Sequence, residues 1–186
     1  MKIIAIIALA TTALTLGGCG RATEPTVQNT AESSVANEAP QAPVLSPGQA
    51  FANEAAASDA FEIASSKLAL EKSQSASVKK FATHMITAHT ESTAKLQSAA
   101  GSASPAIVPD PALTPEQTAK LEELRGLSGA AFDKAYVAAQ VDGHQKTLDG
   151  LKAYSAGGDV PQLKAFATGL VPTVTAHLNM AKGLKP

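Results

Sequence analysis

Apolar residues recur at three- and four-residue spacing along four long stretches of the chain, and no strand-like alternation of useful length interrupts them. The first stretch opens at Ser46-Pro47-Gly48-Gln49, which reads as a capping box with Pro at the first helical position. It predicts a helix over about residues 47–73. A second helix is predicted over about residues 76–100, stopped by Gly101. A loop holding Pro105, Pro109 and Pro111 follows, then a second capping box, Thr114-Pro115-Glu116-Gln117. That box opens a short helix reaching about Arg125 and ended by Gly126. A third long helix is expected over about residues 130–156, closed by Gly157-Gly158. Asp159 is expected to cap the last, over about residues 160–182, which Gly183 stops. Pro172 lies inside it and should kink it, because its ring opposes the carbonyl of Thr168. Two close helix pairs joined by a long crossover predict an all-α, ferritin-like four-helix bundle. The crossover carries its own short helix and is long enough to let the two middle helices run parallel.

Before this domain, which spans residues 47–186, the pattern changes. Lys2 precedes an apolar run from Ile3 to Leu16, followed by Leu16-Gly17-Gly18-Cys19. The run is too short for a standard membrane-spanning helix. The layout resembles a bacterial lipoprotein signal, which implies removal of residues 1–18 and lipid on Cys19. The alternative is an ordinary secretory signal with an incidental cysteine. In lipoproteins an Asp after the cysteine favours the inner membrane; Gly20 therefore leans toward the outer one. Residues 20–46 carry Pro25, Pro40 and Pro43 among small polar residues, with too little apolar surface to pack. As a flexible tether they would span roughly 30 Å. The expected partner is thus a membrane, reached through lipid, with the domain on the periplasmic side of the envelope.

Composition narrows the function classes. Fifteen Lys and Arg against sixteen Asp and Glu give a net charge of −1, which argues against phosphate-driven nucleic-acid binding. Trp is absent and aromatics make up 4%, too few for a base-stacking platform. A single cysteine allows no disulfide within the chain. There is no Gly-x-Ser-x-Gly elbow and no phosphate-cradling glycine loop. No catalytic residue is assigned.

The chemistry lies in the apolar stripes themselves. At 100° per residue, His89 shares its stripe with Val78, Ala82, Met85, Leu96 and Ala100. His144 lines up with Val137, Leu148 and Leu151, and His177 with Phe166, Leu170, Ala181 and Leu184. Glu62 aligns with Phe51, Ala55, Ser58 and Ala69. Each long helix therefore turns one ionisable residue inward. Glu62 and His89 come out within about 3 Å of the same height. His144 sits near the middle of its helix, and His177 somewhat past it. An inward carboxylate without a partner would cost several kcal/mol or take up a proton. Three imidazoles could supply that partner, and so could a divalent metal. Three imidazoles and one carboxylate suit zinc, iron, copper or manganese. A buried polar layer that fixes helix register is the bland alternative. A pH-responsive cluster or a small-molecule pocket is also open. His84 falls off the stripe and reads as a solvated surface histidine, and Lys79-Lys80 as a solvated face. Tyr136 and Tyr154 read as packing residues with their hydroxyls at the rim. Asp133 reads as a cap or solvent contact rather than an orienting group.

Several motifs together resemble the domain-of-unknown-function family 4142, a bacterial envelope family with a ferritin-like bundle. They include Phe51…Glu62-Ile63…Leu68-Ala69…Lys72 and Val78-Lys79-Lys80-Phe81-Ala82…Met85…His89. Leu127-Ser128-Gly129-Ala130-Ala131-Phe132-Asp133-Lys134-Ala135-Tyr136-Val137…His144 and Leu163-Lys164-Ala165-Phe166-Ala167…Pro172…His177-Leu178 complete the set. The resemblance covers about residues 49–184 and implies a fold and an envelope location, but no reaction. A di-iron bundle needs Glu-x-x-His on two helices. Here Ile86, Val141 and Val174 stand three before the histidines, so only a single-metal site remains. Metal storage, buffering or stress protection is one expectation. A non-enzymatic structural or interaction module is the other, and a mononuclear oxidoreductase ranks below both.

Overall fold

The computed structural model describes residues 44–185. The expected signal, Cys19 and nearly all of the tether lie outside the described residues. Five helices follow in order: α1 Pro47–Lys72, α2 Ala76–Gly101, α3 Pro115–Gly126, α4 Gly129–Gly157 and α5 Pro161–Gly183. No strand occurs among the described residues.

The local chemistry that starts and stops these helices is largely as expected. Thr114 and Gln117 form a reciprocal capping box at the head of α3. Ser46 accepts from the Gln49 amide, but the box there is only half made. The Gln49 side chain turns instead to Asn53 and to the Val108 carbonyl. Asp159 does not cap α5. Val160 occupies the N-cap, and Asp159 accepts the Tyr154 hydroxyl at 2.9 Å. The helix runs unbroken through Pro172. Gly129 opens α4 at φ 56°, a left-handed conformation that glycine adopts without a Cβ penalty.

Side-chain contacts fix the topology. Down the α1–α4 interface, Phe51 stacks on Tyr154, Ser58 bonds Thr147, Ser65 bonds Gln140 and Ser66 bonds Tyr136. Rising numbers on α1 meet falling numbers on α4, so the two are antiparallel. The α2–α5 pair is antiparallel as well, since Gln162 at the start of α5 reaches the Ser102 carbonyl at the end of α2. Hence α2 and α4 run parallel, and the crossover has carried the chain back along the bundle. This is the ferritin-like arrangement. Within it α1 packs on α2 and α4, and α5 packs on α4 and α2. The short α3 lies across α1 and α4, with Leu121 against Phe61 and Ala139.

The core is divided. One apolar cluster, with Phe51, Leu96, Leu148, Leu151, Leu163 and Val174, fills one half of the bundle. A second, with Val78, Phe81, Met85, Leu124, Phe132 and Tyr136, fills the other. Between them runs a buried polar layer that includes Asp59, Glu62, His89, Gln140, His144 and His177. None of the described helices is long and apolar enough to cross a membrane.

A buried three-histidine site at the centre of the bundle

His89, His144 and His177 come from α2, α4 and α5, and each is no more than 5% exposed. Their ring centroids stand 5.5 to 5.7 Å apart in pairs. One ring nitrogen from each lies within 4.8 Å of the other two. A tetrahedral ion with 2.0–2.1 Å bonds holds its nitrogens about 3.4 Å apart. The three rings therefore need to draw in by at most about 1.4 Å per pair to share one ion.

One nitrogen on each of two rings is already hydrogen-bonded. His89 Nδ1 donates to Asp59 Oδ1 at 2.7 Å, and His144 Nδ1 donates to the Gln140 carbonyl at 2.8 Å. This leaves Nε2 of His89 and Nε2 of His144 buried without a hydrogen-bond partner, together with Nδ1 of His177. A carboxylate or carbonyl on one ring nitrogen, with the other left free, is the outer-shell pattern of metal-binding imidazoles. A cavity of about 30 Å³ lined by Asp59, His89 and His177 adjoins them. It has room for one water molecule or ion and for little else.

Electrostatics separates the three rings. Burial works against protonating His89, but the Asp59 hydrogen bond and the nearby Glu62 charge outweigh it and raise its pKa. Burial lowers that of His144, which Glu62 only partly offsets. Burial also pushes His177 down to about 3, helped by His89, His144 and His84.

Of the four residues singled out in the sequence, the structure gathers the histidines closely and sets Glu62 beside them. Glu62 is buried, with Oε1 3.7 Å from His144 Nδ1, the nitrogen that already serves Gln140. It stands outside the three-nitrogen group. Its Oε2 has no partner. Sequence reasoning passed over Asp59, which lies one helical turn before Glu62 on the same face and also accepts from Thr93. That three-residue spacing of two acids on an alanine-rich helix was the available sign. His84 is exposed as expected, yet its ring meets His177 edge-on at 5.2 Å. Two further expectations are corrected. Tyr136 is fully buried, its hydroxyl bonded to Ser66 at 2.8 Å, because α1 offers a small polar residue there. Asp133 is buried too, with Oδ1 unpartnered, rather than capping or meeting solvent.

Solved structures share this architecture. A DUF305 fragment from Deinococcus radiodurans superposes with a TM-score of 0.64 at 16% identity, over 76% of this chain and 97% of that one. CopM, in Cu(I)-bound and Cu(II)-bound forms, superposes at 0.61 and 15% identity, over 73% of this chain and 93% of its own. At such identities the likeness concerns the fold. No curated protein matches the sequence. The family model of DUF4142, a domain of unknown function, matches residues 33–184, and the chain belongs to that family.

Proposed function

We propose that the bundle holds a single transition-metal ion on His89, His144 and His177, for storage or buffering. The observation that carries the reading is the convergence of three buried imidazoles, each of which also has a buried ring nitrogen without a hydrogen-bond partner. A polar layer kept only to fix register would be expected to satisfy its buried atoms among themselves. Charge favours an ion as well. Asp59 and Glu62 place two carboxylates beside the three rings, where a dication would face them. Glu62 acts in this reading as a counter-charge next to the ligands. Imidazole donors suit copper and zinc, and the copper-bound forms of CopM share the fold. The small cavity, with no room for an organic substrate at the nitrogens, favours holding an ion over turning a substrate over.

The test is metal analysis of untagged protein after loading with copper or zinc and removal of excess. One equivalent is expected to stay bound, and His89→Ala or His144→Ala is expected to lose it while the helical spectrum persists. Equal retention by wild type and both variants would refute the site. Envelope location through lipid on Cys19 is part of the same proposal. Radiolabelled fatty acid is expected to enter the wild-type chain and not Cys19→Ala, and label in both would exclude it.

A further inference from the structure

A cleft of about 220 Å³ opens between α1 and α4 under the start of α3. It is distinct from the small cavity at the histidines. We infer that this cleft binds a small organic ammonium ion, a primary amine on an apolar body, with Glu62 as its counter-ion. The walls are Phe51, Ala55, Ala57, Phe61, Ala139 and Leu151. Glu62 lies among the lining residues, 2% exposed, with Oε2 lacking a partner. A buried carboxylate oxygen without a partner is costly, and a ligand N–H donor removes the cost at Oε2 by a charge-assisted hydrogen bond. Apolar walls with one deep polar group are the usual form of an organic-ligand site. Hydrated calcium or magnesium would instead require several oxygen ligands.

Of the other charges lining the cleft, Glu54 is exposed at the rim and Lys120 pairs with Glu123. Lys146 pairs with Glu116 at 2.7 Å and with Asp142 at 3.1 Å. That leaves Glu62 as the deep anchor. Two glycines on α4, seven residues apart, keep the cleft open. A Cβ at Gly143 would meet Glu62 Oε1 at 3.3 Å, whereas at Gly150 its nearest neighbour would be Glu54 Oε1 at 3.8 Å. A volume of 220 Å³ falls below the ~300 Å³ typical of the smallest drug-sized pockets, which restricts the ligand to one ring or a short chain. The inference does not depend on the histidines holding an ion.

The probe is benzylamine, titrated calorimetrically into chelator-treated full chain, with benzyl alcohol as the neutral control. Saturable one-to-one binding is expected, with amide shifts centred on Ser58, Gly143 and Thr147. Benzyl alcohol should bind at least about tenfold more weakly, since it lacks the charge-assisted bond. Glu62→Gln should bring the amine down to the alcohol's level. Gly150→Leu, which has room at its Cβ and favours the helix, should abolish binding with the fold intact. Equal affinity for amine and alcohol would overturn the inference. So would absence of saturation, displacement of the amine by equimolar calcium, or unchanged binding in folded Glu62→Gln. If Glu62→Gln does not fold, Gly150→Leu decides, and unchanged binding there overturns the site.

Discussion

Asp59 shows how much of the centre rests on a residue outside the ligand set. Its carboxylate holds His89 Nδ1 at 2.7 Å, which fixes the ring and leaves Nε2 buried without a partner. Asp59→Asn keeps the shape and removes the charge. It is expected to weaken metal affinity by about 10- to 100-fold, measured by competition with a chromophoric chelator. Protonation at the same centre sets a pH dependence. His144 and His177 lie below the ordinary imidazole value, both chiefly through burial, so they stay neutral in the folded state while the unfolded chain takes up protons. Their contribution to stability is present near neutrality and declines as pH falls from about 6.5 toward 3. His89 has the opposite sign: its stabilisation is full below about 6.5 and is lost as pH rises through its raised folded value. Two groups against one predict that Tm of chelator-treated protein falls between pH 7 and pH 4. A melting series in which Tm rises would contradict this. At this scale the sequence exposed the histidines because each interrupts an apolar stripe. It hid Asp59, whose neighbours on α1 are Ser58 and Ala60 and give little contrast. It also hid the partnering of Tyr136, since a hydrogen bond across helices leaves no periodic trace in either one.

Among the elements, punctuation was the legible part. Serine, threonine, proline and glycine marked most of the helix ends to within about two residues, because each acts through its own backbone geometry. Departures came where a side chain found a better partner elsewhere. Gln49 leaves its box for Asn53 and Val108, and Asp159 leaves the α5 cap for Tyr154. Gly129 is a sharper case. Its φ of 56° at the head of α4 follows a Ser128 that makes no side-chain cap bond, so the turn depends on the glycine backbone. Gly129→Ala should destabilise the domain by about 1–2 kcal/mol, read from urea unfolding. A stabilised variant would show that the turn relaxes without cost.

For the molecule as a whole, the crossover is what assembles the centre. Three of the long helices each bring one histidine, and α1 brings Asp59 and Glu62. Pairing of neighbours alone would leave the two halves of the site on separate hairpins. The length of the segment between α2 and α4 implied a parallel pair, whereas the depth of the rings depended on packing that no single helix encodes. The same arrangement places the start of α1 and the end of α5 at opposite poles, because α1 and α5 each run antiparallel to α4. A circular permutant would therefore need a linker along the full bundle, about 39 Å for a helix of 26 residues, or roughly twelve extended residues. Force applied between the two poles would slide the helices past one another lengthwise. With an ion held as proposed, the histidine layer would bridge three of them at once and serve as a crosspiece resisting that shear.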